Sequence, residues 1–99
     1  ALVNLADQLP LFENIVKAPT KTKVPDSVGA LFILAFMLAG RVDADNLDPV
    51  MEYAERMSEV SFEAHALFIT SLASNRAKVG MACKNRKFTA AAAKLGKYF

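Results

Sequence analysis

This 99-residue chain has one cysteine, one histidine and no acidic residue beyond Glu63. Cys83 cannot close a disulfide within the chain, so nothing is expected to staple the fold covalently, and a reducing, cytoplasmic location is expected. His65 lacks a second histidine to form a zinc pair, so no metal site is expected and a structural role for the imidazole is the default. Cys83 and His65 together would make a thiol nucleophile and its base only beside an orienting third group, and none is recognisable. Phosphate-cradling words are absent in both forms, G-x-x-x-x-G-K-[ST] and G-x-G-x-x-G, and there is no G-x-S-x-G elbow. The chain by itself is therefore expected to be no enzyme and to carry no cofactor.

Other absences limit the architecture. No run alternates apolar and polar residues with period two, and no Asn-Gly or Asp-Gly joins two apolar segments, so no sheet is expected. No internal repeat is found. The N-terminal end shows no charged n-region followed by an apolar stretch and a small-residue cleavage site, so no secretory signal is expected. The longest apolar run, Val28 to Ala39, stops at Gly40-Arg41 and is followed by three aspartates, whereas a bilayer crossing needs about 20 apolar residues. No membrane insertion is expected.

What is present is greasy and helical in spacing. Hydrophobic residues make up 54% of the chain and the mean hydropathy is +0.24, well away from the composition of disordered segments. The fold expected is all-α: a compact bundle of about five to six helices around a central apolar helix over about residues 27–39. Asp26 or Ser27 would cap that helix and Gly40 would take the left-handed position after it. Val28, Leu31, Ala35 and Leu38 mark one face, and Phe32, Phe36 and Ala39 the other. A helix apolar on all sides is expected to be wrapped by its neighbours.

Along the rest of the chain, short helices are expected over Leu2–Leu9 and Leu11–Val16, separated by Pro10. "KAPTKTKVPD" reads as a loop, which divides N-terminal short helices or an appendage (1–18) and a linker (19–26) from a helical domain (27–99); one domain overall is expected, since 99 residues suit one core. A helix is expected from Asn46, with Asp48 and Pro49 in its first turn and Val50, Tyr53, Ala54 and Met57 inward. Ser58 would cap the next, from Glu59 to about Asn75. A short helix follows near Arg76 to Cys83, and Thr89 would cap the last. "DADNLD" has oxygen-rich spacing, but counted from Asp43 an EF-hand would need Gly and Glu where Asp48 and Ala54 stand, so helix capping is the expected role.

Charge divides the chain unevenly. Residues 1–75 hold five cations and ten acids, and residues 76–99 hold seven cations and no acid, so the net charges are −5 and +7. The basic segment comprises Arg76, Lys78, Lys84, Arg86, Lys87, Lys94 and Lys97, interleaved with Phe88, Tyr98 and Phe99. Such a segment suits an acidic protein partner, phosphate of a nucleic acid, or internal pairing with the acidic helix after Asn46.

The order of "VPDSVGALFILAFMLAGRVDADNLDPVMEYAERMSEVSFEAHALFI" followed by "FTAAAAKLG" resembles the helical C-terminal region of phage and bacterial AAA+ ATPases of the MoxR type, over about residues 20 to 95. The resemblance implies a region that packs beside an ATP-driven remodelling motor and contributes to assembly, within a longer protein. Walker A, Walker B and sensor motifs are missing from this chain, and the basic end departs from the pattern. Two functions are thus expected in turn. The first is a non-catalytic interaction and assembly domain, with a protein partner or self-association; the alternative is a small independent helical protein that binds nucleic acid through residues 76–99.

Overall fold

Six helices follow one another in the computed structural model, which describes residues 5–96 and side-chain surroundings from residue 9 to residue 96. They are α1 (Leu5–Lys17), α2 (Val28–Arg41), α3 (Leu47–Val60), α4 (Phe62–Ser74), α5 (Arg76–Ala82) and α6 (Arg86–Leu95). The all-α class holds, and there is no strand among the described residues. No helix among them is long and apolar enough to cross a membrane.

Pro10 was expected to separate two helices, yet it lies inside α1. The downstream half of α1 carries Phe12 and Ile15, both buried in the common core, and their burial holds the helix together past the missing N–H. The part of the expected first helix before Leu5 lies outside the described residues. Because Phe12 and Ile15 join the same core as α2 to α6, residues 5–17 pack as part of the bundle. Loop 18–27 is held down as well. Arg56 of α3 donates to the carbonyls of Thr22 (3.1 Å) and Pro19, and the Tyr53 hydroxyl donates to that of Lys23 at 3.4 Å. The Arg56 guanidinium also stands 5.1 Å from the centre of the Tyr53 ring, and burial raises the Tyr53 pKa to about 12.

Helix ends follow the local chemistry, with four differences from expectation. Ser27 caps α2 as expected, its hydroxyl accepting from the Ala30 N–H. Gly40, however, is helical, and α2 continues to Arg41; Val42 then turns extended. The end is completed from elsewhere, because the Lys78 ammonium donates to the carbonyls of Gly40 (2.8 Å) and Val42 (2.6 Å). Asn46 precedes α3, but its side chain accepts from the Asp43 N–H at 2.7 Å instead of capping. Asp43 in turn accepts from the N–H groups of Asp45 and Asn46, so "DADNLD" forms a tight turn. Ser58 does not cap α4. Helix α3 runs on to Val60, and the buried Ser61 accepts from the Ala64 N–H at 3.1 Å. Thr89 likewise lies within α6, whose cap is Asn85 accepting from the Phe88 N–H; starting earlier places Phe88 in the core.

The position expected of α2 also needs correction. Helix α4 occupies the middle, packing against α2, α3, α5 and α6 through Ala64, Phe68, Ile69 and Leu72. Helix α2 packs on α4, α1 and α3 along Ala30, Leu31, Leu34, Ala35 and Leu38. Its opposite side is bare: Val28 is 47% exposed, Phe32 37% and Phe36 67%. Among the described residues the neighbouring helices collect around α4.

Candidate functional site

Two features stand out from the packed core: a groove between α3, α4 and α6, and the bare face of α2. The groove arises from side-chain size. Helix α6 presents Lys87, Ala90, Ala91, Lys94 and Leu95, the repeat of one helix face, and its two alanines leave the wall low. Across from it, α3 contributes Met51, Glu55 and Ser58 at the same period, and α4 contributes Phe62 and His65, one turn apart. The resulting depression has a volume of about 310 Å³, with Met51, Ala91 and Leu95 supplying an apolar floor.

Charged groups stand around that floor. The Lys87 ammonium meets the Glu55 carboxylate at 3.0 Å, and both side chains remain well exposed. Arg86 and Lys94 line the same groove without an ion pair among the described residues. His65 has its pKa lowered chiefly by burial; the Glu55 carboxylate opposes this, and the positive charge of Lys94 adds a smaller lowering. The imidazole is therefore neutral at pH 7. Phe62 lies at the edge, 54% exposed.

The basic segment is dispersed by the fold. Lys78 turns inward to the end of α2, and Lys87 pairs with Glu55 on the acidic helix, so two of the cations serve internal contacts. Asn85 adds a second link between this segment and α3, donating to Asp48 at 2.6 Å. Arg76 and Lys84 are exposed on and after α5, while Arg86 and Lys94 are exposed on α6. Lys97, Tyr98 and Phe99 lie outside the described residues. Cys83 is a free, exposed thiol after α5 and does not line the groove that holds His65.

Sequence reasoning did not single out Phe62, Met51, Ala90 or Ala91. Their signal was the pairing of an alanine-rich face with a histidine one turn after an aromatic residue, but it becomes a groove only once α6 lies across α3 and α4. The aromatic residues of α2 were noticed, and their exposure was not.

Fold and surface together define a small six-helix bundle with an apolar face and a cation-rimmed groove. Comparison with protein-family models, with curated proteins and with solved structures yields no significant match.

Proposed function

We propose that this chain is a non-catalytic interaction and assembly domain that associates with a second copy of itself through the open face of α2. The observation that carries this reading is the exposure of Val28, Phe32 and Phe36 on a helix with no charged side chain between Val28 and Gly40. A two-fold interface must complement itself. Read along this face, the residues run Gly29, Phe32 and Ile33, Phe36 and Met37, Gly40, an order of small and large side chains that is nearly the same in reverse. Antiparallel pairing therefore sets the large residues of one copy against those of the other, and the glycines admit close approach at both ends; space around Gly40 is open. The same pairing brings Asp26 toward Arg41 of the second copy, which within its own chain already meets Glu13 at 3.7 Å.

One helix face about 21 Å long falls well short of the roughly 800 Å² per partner of a standard interface, so the isolated association is weak. Such a contact gains strength when many copies are held together, which accords with the assembly role implied by the resemblance to MoxR-type AAA+ ATPases. The domain alone is expected neither to bind nor to hydrolyse ATP. Sedimentation equilibrium across a wide concentration range tests the proposal: the expected result is reversible dimerisation that Phe36→Ser abolishes while circular dichroism is unchanged. A wild-type chain that stays monomeric at millimolar concentration, or a variant that dimerises equally well, overturns it.

A second reading rests on Arg76, Lys84, Arg86 and Lys94, four exposed cations in the acid-free part of the chain. In that reading the surface of α5 and α6 holds nucleic acid, and affinity falls steeply as salt rises. Absence of binding to single-stranded and duplex DNA and RNA at low salt removes it.

A further inference from the structure

The groove between α3, α4 and α6 is separate from the α2 face, and its chemistry has a different use. We infer that it is a binding site for a small amphiphilic carboxylate, whose apolar body lies on Met51, Phe62 and Ala91 and whose head group meets Lys94 beside His65. At about 310 Å³ the groove reaches the lower end of the range for small-ligand sites, and its floor is apolar as such sites require. Its polar groups are few and are biased in sign. The one carboxylate present, Glu55, is already matched by Lys87 at 3.0 Å, whereas Lys94 has no ion pair among the described residues. An anion there gains a cation and replaces no existing pair. The alanines at 90 and 91 leave room where longer side chains would close the gap between α6 and α3.

His65 supplies a second handle. The charged groups acting on it are Glu55 from α3 and Lys94 from α6, and burial holds its pKa below the usual value. A carboxylate at Lys94 offsets the positive field of that lysine and favours the imidazolium. By reciprocity, protonating His65 strengthens carboxylate binding. Binding is therefore tighter on the acid side of the His65 transition, provided that the ligand itself stays ionised.

Octanoate and 1-octanol, which share a chain length and differ in charge, are suitable probes for the full 99-residue chain. Titration followed by two-dimensional NMR is expected to show saturable shifts at His65, Ala91 and Lys94, with octanoate binding about tenfold more tightly than octanol, the effect of one charge-assisted contact. Lys94→Gln erases the difference between the two probes, Arg86→Gln leaves most of it, and Ala91→Leu weakens both probes by filling the floor. Octanoate affinity rises as pH is lowered below 6.5 toward the folded-state His65 transition in the wild type and not in His65→Gln. All four variants change surface or half-buried positions, and circular dichroism checks that each is folded. Equal affinity for octanoate and octanol, an advantage that survives Lys94→Gln, or shifts centred on Phe32 and Phe36 would each overturn the assignment. A monomeric protein that binds octanoate at Lys94 leaves this inference standing while removing the dimer proposed for α2.

Discussion

Helices α2 and α4 are nearly the same length and are both rich in leucine, alanine and phenylalanine, yet their surroundings differ. Helix α4 meets four other helices, and its Phe68 is fully buried. Helix α2 packs closely against three and is touched by α5 through Lys78 at its end, and Phe36 stands mostly in water. Hydrophobic content states how much surface a helix would gain by burying; the number of neighbours that reach it determines how much is buried. Among the described residues no helix covers the outer side of α2. An apolar face left over in this way is the natural place for another molecule to pack.

Substitutions can break that contrast. Phe68→Ala empties a fully buried site and is expected to cost about 3–5 kcal/mol in urea unfolding, whereas Phe36→Ala should fall within about 0.5 kcal/mol of the wild type at concentrations where the protein is monomeric. Equal losses would show that the α2 face is covered within the monomer. Lys78→Met removes the side chain that α5 lends to the end of α2. The carbonyls of Gly40 and Val42 then lose a charged donor, with an expected cost of about 1–2 kcal/mol. Hydrogen exchange should quicken in the last turn of α2 and remain slow in α4.

The caps sharpen the same comparison on a smaller scale. Ser61 is 5% exposed and caps α4, so Ser61→Ala is expected to cost about 1 kcal/mol or more. Ser27 is exposed and bonds at 3.3 Å, so Ser27→Ala should cost about half as much. The pH effect is smallest. The folded-state pKa of His65 lies below its unfolded value of 6.5, so the unfolded chain binds more protons between the two values. Stability is full above pH 6.5 and declines as pH falls toward the folded-state pKa. A pH series of unfolding curves should show this slope, and His65→Gln should flatten it.

Periodicity made the helices legible, and it located the start of α3 and both ends of α5 to within a residue or so. The ends were harder to read because several capping residues compete at each one. Ser58 and Ser61 are both plausible before α4, and burial of Ser61 with Met57 and Ala64 in place selects the second. Thr89 and Asn85 compete in the same way, with Phe88 selecting Asn85 by entering the core. At the end of α2 the deciding group, Lys78, lies more than thirty residues away along the chain, beyond any local rule. The groove was hidden for a similar reason. Its floor and rim come from three helices, and its depth depends on two alanines whose short side chains matter only opposite Met51 and His65.

By itself the sequence determined the helical class, the approximate bounds of the helices, the lack of a span able to cross a membrane among the described residues, and the separation of charge along the chain. Those properties follow from side-chain type and from spacing over a few residues, both of which are local. Tertiary structure alone decided that α4 and not α2 occupies the middle, that Lys78 and Lys87 turn to internal partners, and that Arg86 and Lys94 flank an apolar groove. Each of these depends on which surfaces meet across the bundle, and six helices of similar polarity can be packed in more ways than their separate sequences distinguish.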